Sequence, residues 1–381
     1  MTTVKSSLHV HLLCVLLVTS FFVRNGVAAD HTVPFEKLSH LLLVKAKING
    51  SADDYNFIVD TGGVACLDKK VAQDLRLKQR GPMAKIDTLE LSGLRIDTVM
   101  CVTAFDFRPF DWLGTPIHGI IGSNLLERYK VTLDFKARSI TFSTDTASLR
   151  RPDSGFLLTF RNHPVNNAPL VNFKMGDRTL QGMIDTGQPY PVVCPLESFA
   201  EHKDVGVRDF IKSRGLMKEW PMTTVDFNYL ARLKSFELGN VKIEGTICLF
   251  AQLPRMLSMP LIGNDFLSQF KIVINYPEDQ MVMIPHPDLH WKENVLSIGL
   301  TPDLSKDKQV VVKGLWENSP ADKAQLEVGD RILSFNAQQA TQSNLMELIN
   351  MMGDDATESI TVEIEDQTGT REVTLNKALL F

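Results

Sequence analysis

The segment Phe57-Ile58-Val59-Asp60-Thr61-Gly62-Gly63 is an apolar run ending on Asp-Thr-Gly, and Gly182-Met183-Ile184-Asp185-Thr186-Gly187-Gln188 repeats it later in the chain. One Asp-Thr-Gly is an ordinary turn sequence. Two carry weight only if their surroundings also match, so internal repetition is the first thing to test. Upstream, Lys45 to Gly50 and Val171 to Gly176 are both strand-like stretches that end in a turn. Downstream, His118-Gly119-Ile120-Ile121-Gly122-Ser123-Asn124-Leu125-Leu126 parallels Met259-Pro260-Leu261-Ile262-Gly263-Asn264-Asp265-Phe266-Leu267. A β-rich run follows each, Lys130 to Phe135 and Lys271 to Tyr276, and Ile96 precedes Cys101 as Ile243 precedes Cys248. The chain therefore contains one strand–turn–strand–helix frame twice.

Most of both frames consists of short β-branched and aromatic runs bounded by Gly, Pro, Asn or Asp, which predicts a mainly β fold. Short helices are expected at 69–75, 124–129 and 265–270. The polar stretch from Thr144 to Gly155 separates the frames, and a second boundary falls between Pro285 and Glu293. At 381 residues, with 44% hydrophobic and 22% charged, the chain is long enough for several cores. Its net charge of −5 and the lack of basic runs exclude nucleic acid and anionic surfaces as evident partners.

The first 29 residues differ from the rest. Lys5 precedes an apolar stretch from Val10 to Val23, and small residues follow at Gly26-Val27-Ala28-Ala29. That is the layout of a secretory signal peptide cleaved after Ala29, and the stretch is short for a span of about 20 residues. The chain is expected to be exported, periplasmic or secreted. Apart from Cys14 there remain Cys66, Cys101, Cys194 and Cys248. In an oxidising compartment these form either two disulfides, with Cys66–Cys101 and Cys194–Cys248 favoured by spacing, or four buried thiols. No Cys or His spacing suits a metal, and no cofactor motif is present.

Paired aspartates suggest a specific chemistry. Hydrolysing a peptide without a metal or covalent nucleophile needs a base for the water and an acid for the carbonyl oxygen. Two carboxyls a few ångströms apart supply both, because like charges that close do not both ionise; aspartic proteases are the standard case. Glycine lets the backbone approach the carboxylate, and the threonine hydroxyl can tie one turn to the other.

The two frames resemble retropepsin-type aspartic protease units, on Asp-Thr-Gly and on the later Ile120-Ile121-Gly122-Ser123-Asn124-Leu125-Leu126 and its counterpart. The resemblance implies two β-barrel lobes related by pseudo-two-fold symmetry, at 30–145 and 155–286, sharing one active site as in the pepsin arrangement. It implies Asp60 and Asp185 as the catalytic pair, Thr61 and Thr186 as an interlocking network, and Gly62 and Gly187 as the tight turns. Polypeptides would be the substrates, and a monomer would suffice. Gln188 departs from the usual Ser, Thr or Ala and is bulky enough to crowd its turn. The glycine-rich closing hairpin has only faint candidates, Arg80 to Met83, Ser92 to Leu94 and Ser213 to Leu216.

A third segment, 294–378, resembles a PDZ domain of the bacterial type. The resemblance rests on Ser319-Pro320-Ala321 through Gly329-Asp330-Arg331-Ile332, with Gln325 in place of a usual glycine. It implies that Ile298, Gly299 and Leu300 form the loop receiving a peptide C-terminus, that the following strand accepts a peptide as an added strand, and that a helix at 345–352 lines the groove. The function expected from the whole is an exported aspartic endopeptidase with a peptide-positioning domain. The alternative is a non-catalytic protein that binds peptides in the inter-lobe cleft and the PDZ groove.

Overall fold

Apolar runs near-continuous along a strand call for burial on both faces, and the two segments leading into the Asp-Thr-Gly turns obtain it. Leu41–Ile48 pairs antiparallel with Tyr55–Asp60, which runs parallel to Gly119–Gly122 with Asp60 beside Gly122. In the second unit Pro169–Met175 pairs antiparallel with Arg178–Ile184, which runs parallel to Leu261–Ile262. Each Asp-Thr-Gly turn thus emerges beside an apolar-apolar-Gly segment. Short helices follow those segments at Ser123–Leu126 and Asn264–Leu267. The computed structural model describes residues 29–381, apart from 106, 108–109, 111–112, 202, 218–223 and 255–257. The expected signal segment and Cys14 therefore lie outside the described residues, Ala29 excepted.

The protein is mainly β. A six-stranded sheet joins the two units, in the order Asp30–Pro34, Ser139–Ser143, Lys130–Asp134, Phe270–Asn275, Gln280–Pro285 and Phe156–Thr159. Its central seam pairs Lys130–Asp134 with Asn275–Lys271, so the two repeated β-rich runs lie side by side. One large apolar cluster, from Val33 and Leu42 to Phe270 and Met283, runs through both units.

The third unit has its own core, built on Ile298, Leu300, Val312, Phe335, Leu348 and Val362. It is nevertheless continuous with the second unit. Val207–Gly215 pairs antiparallel with Val310–Trp316, with Ser213 opposite Trp316 and Gly215 opposite Gly314. Trp316 is buried in a cluster with Leu170, Met183, Val193, Leu249 and Leu261 of the second unit, and Leu380 and Phe381 pack against the same cluster. The first unit covers the corresponding surface mainly with its own Phe107, Leu113 and Ile117, and Met346 of the third unit packs against them.

The favoured disulfides are not formed: Cys66, Cys101, Cys194 and Cys248 are all free and buried. Strand geometry accounts for the first pair. Cys66 lies beside Val102, so its neighbour Cys101 points to the opposite face, and the two thiols enter different clusters. Cys194 and Cys248 share a face on adjacent parallel strands but are offset by two residues, since Cys194 pairs with Phe250. Cys194 Sγ donates to Met175 Sδ at 4.0 Å. Burial pushes the Cys66 and Cys101 thiols up to about 12. These thiols should resist modification in the native protein and react once it is unfolded. Thiol titration with and without denaturant checks this, and bridged cysteines in the mass spectrum would overturn it.

Candidate active site

The two turns are built alike and bonded to each other. The Gly62 N–H donates to Asp60 Oδ1 at 2.8 Å, and the Gly187 N–H donates to Asp185 Oδ1 at 2.9 Å. Between the turns, the Thr61 N–H donates to Thr186 Oγ1 at 3.0 Å and the Thr186 N–H to Thr61 Oγ1 at 3.1 Å. Each hydroxyl then crosses over: Thr61 Oγ1 donates to Ile184 O at 2.8 Å, and Thr186 Oγ1 to Val59 O at 2.9 Å. Both threonines are fully buried.

This network ties the two turns that carry the carboxyl groups to each other. Asp60 and Asp185 are hydrogen-bonded through their side chains, and Asp60 also accepts from Gly62, Gly63 and Gly187. Burial holds the Asp60 carboxyl above its ordinary value, and those hydrogen bonds pull in the opposite direction. The glycines are sterically required. A Cβ on Gly62 would lie 2.5 Å from Asp185 Cγ, and one on Gly187 would lie 2.8 Å from Asp60 Oδ2. Each turn therefore packs its backbone against the carboxyl of the other.

Gln188 does not come between the acids. It is buried, its carbonyl accepts from the Asn264 N–H at 2.7 Å, and its Cγ lies against Gly263, where a Cβ would approach it to 2.9 Å. Among the described residues its Oε1 has no hydrogen-bond partner.

Five further residues support the turns. Ser123 Oγ donates to Thr61 O at 2.7 Å and is also bonded to the Tyr276 hydroxyl at 2.9 Å. Asn264 Nδ2 donates to Thr186 O at 2.6 Å and to His40 O at 2.7 Å. Asn166 Nδ2 reaches across to Gly62 O at 2.5 Å, and His40 Nε2–H reaches the other way to Gly187 O at 3.2 Å. Ser123 and Asn264 had a visible signal, as polar residues directly after the repeated glycine. His40 and Asn166 had none: both precede the first strand of their frame, but they share no residue type.

Thr61→Val should test the interlock. Valine keeps the shape and removes the hydroxyl, stranding the Thr186 N–H and the Ile184 carbonyl in a dry interior. Each stranded group costs about 1–3 kcal/mol. Denaturant unfolding should show that loss, whereas Thr61→Ser should retain most of the stability.

The candidate closing hairpin of the first unit is formed by Lys78–Arg80 and Met83–Leu91, turning at Gly81 with φ +59° and Pro82. At the same place in the second unit, Val207–Gly215 and Tyr229–Leu233 form the hairpin that pairs with the third unit. Ser92 and Gly93 instead turn between Met83–Leu91 and Leu94–Val102.

In the third unit Gly299 has φ +84°, and a Cβ there would collide with Ser319. The Ile298 and Leu300 side chains are buried, which leaves the backbone of this loop at the surface rather than its flanking side chains. The Gly299 N–H donates to Ser297 Oγ at 2.9 Å. Leu300–Leu304 pairs on one edge with Val310–Trp316, and its other edge meets no strand among the described residues. The helix Leu345–Gly353 stands near that strand. Among the described residues no group of three or more His, Cys, Asp or Glu side chains is placed to hold a metal ion.

Comparison with protein families matches residues 291–365 to the PDZ domain, which establishes a peptide-binding module at this end of the chain. No curated protein matches the chain.

Proposed function

We propose that this chain is an exported aspartic endopeptidase, with its active site between two retropepsin-like lobes in pseudo-two-fold relation and a PDZ domain that positions polypeptides. The observation that carries the reading is the junction itself, where each turn packs its backbone against the other's carboxyl and the two threonines bond across it. A pair this close shares a proton, and its pKa values belong to the pair. The ionised member takes a proton from water as the water oxygen attacks the peptide carbonyl carbon. The protonated member gives its proton to the carbonyl oxygen. On collapse the member that now carries the proton gives it to the leaving nitrogen as the C–N bond breaks, and the other member takes the proton of one hydroxyl as the C=O bond re-forms, so the pair is again singly protonated with the roles as at the start.

Export is supported by the leader-like residues 1–29. A purely peptide-binding protein is the second reading, favoured by the PDZ match and by the unpartnered Gln188 Oε1. The deciding experiment is incubation of the mature chain with an unfolded protein across about pH 3–8, with and without a pepstatin-type inhibitor. Inhibitable cleavage supports the peptidase, and intact substrate at every pH supports the binder.

A further inference from the structure

The two walls of the PDZ groove rest on different units of the molecule. The strand wall, Leu300–Leu304, is paired to Val310–Trp316. On its other edge, Val310–Trp316 bonds to Ser213–Gly215 of the second unit. The contact continues beyond the ladder. The Thr301 hydroxyl donates to Met217 Sδ at 3.6 Å, and the Glu317 N–H donates to Lys212 O at 3.0 Å. Arg214 pairs with Asp322. Gly314 makes the close approach possible, since a Cβ there would lie 2.7 Å from the Leu216 carbonyl group.

This seam belongs to one hydrogen-bonded sheet that reaches the Asp185 turn. From Arg178–Ile184, which leads into Asp185, the order runs through Leu261–Ile262, Val192–Pro195, Ile247–Ala251, Tyr229–Leu233 and Val207–Gly215 to Val310–Trp316. The helix wall, Leu345–Gly353, faces the other way. Its Met346 packs into the cluster of Leu41, Leu43, Ile58, Phe107 and Leu113 in the first unit. A Cβ on Gly114 would come within 3.7 Å of Ser343 O, just ahead of the helix. Ile58 lies on the strand that ends at Asp60.

A peptide added to the strand edge needs about 4.8 Å of spacing on its own account. The walls already approach to within 8 Å between Cα atoms at their closest. A peptide added to that edge therefore touches both walls at once. One wall is bonded to the Asp185 unit and the other is packed on the Asp60 unit.

We propose that a polypeptide with a free apolar C-terminus, on entering between Leu300–Leu304 and the helix Leu345–Gly353, shifts the two units against each other and so sets the geometry of the Asp60–Asp185 pair. The ligand is then an effector of the cleft as well as a tethered substrate. Calling the consequence regulation of hydrolysis rests on the peptidase reading; the mechanical coupling does not.

Hydrogen–deuterium exchange separates the two. The full mature chain carrying Asp60→Asn is mixed with a decapeptide ending in a leucine with a free carboxylate, and in parallel with its C-terminal amide. The free acid should slow exchange several-fold in 300–304 and 345–353, and should also change exchange in 207–217 and 182–188; the amide should do neither. Gly314→Val, and independently Met217→Ala, should keep the groove response and lose most of the response in 182–188. A groove that protects without any remote change overturns the proposal, as does a groove that never responds. A remote response that survives both seam variants overturns it too. Should the wild type cleave nothing while the coupling appears, the coupling stands and the peptidase reading falls.

Discussion

Under the proposed peptidase mechanism Asp60→Asn should abolish cleavage, by at least ~10³-fold, because one step loses both a proton donor and a proton acceptor and each such role contributes roughly 10²–10⁴. The same substitution should make the chain harder to unfold at neutral pH. Burial raises the Asp60 pKa above its ordinary value of 3.8, so the folded state holds this proton more tightly than the unfolded state does. Where the folded form binds more protons, stability falls as pH rises. The contribution of Asp60 is therefore fully present below the unfolded pKa and lost as pH climbs through the folded one. Asparagine has nothing to ionise, and its Oδ1 can still accept from Gly62. The stability advantage of the variant should grow from acid to neutral pH and then level off. Thermal unfolding of both proteins at about pH 3 and pH 7, beside the cleavage assay, gives both readouts. A variant that still cuts removes Asp60 from the mechanism, and a pH-independent stability difference removes the buried shared proton.

The doubled frame was readable because it depends on local requirements. An apolar strand, a glycine that must touch a carboxyl and a hydroxyl that must cross a seam each restrict residue type at one position. Asp60, Thr61, Gly62 and their counterparts are therefore visible in the chain itself. His40 and Asn166 are not, because any side chain that can donate to a carbonyl from that distance suffices, and the two units use different ones. The cysteines show a second limit. Cys101 and Cys248 occupy matching places in the two frames, but the face each side chain takes relative to Cys66 or Cys194 depends on strand register. Cys66 beside Val102 puts Cys101 on the far side. Trp316 shows a third. Within the PDZ pattern it reads as one more apolar residue after a strand, and only the pairing of Ser213 with Trp316 reveals that its ring completes the core of another unit.

That placement leads to the largest stability effect expected anywhere outside the turns. Trp316 is 3% exposed and sits among Leu170, Met183, Val193, Leu249 and Leu261, on the face of the second unit opposite its main cluster. Cutting a buried aromatic side chain back to alanine costs about 3–5 kcal/mol, including the cavity left behind. Trp316 lies at the join of two units, so the loss should appear in both. The second unit loses the cover over Met183, the residue before Ile184 and the Asp185 turn. The PDZ unit loses the anchor of the strand that carries its groove. Phe381 provides an internal comparison. Its backbone is clamped by Asn294, with Asn294 Nδ2 donating to Phe381 O at 2.7 Å, but its side chain is only half-buried over Arg232. Phe381→Ala should therefore cost clearly less than Trp316→Ala. Denaturant unfolding followed by probes in each unit tests this: with Trp316→Ala the second and third units should unfold together at a lower midpoint. If the PDZ unit alone is destabilised and cleavage is unchanged, the third unit is an independent attachment. A shared loss, with activity falling alongside, means the peptide-binding module is part of the structure that holds Asp185 in place.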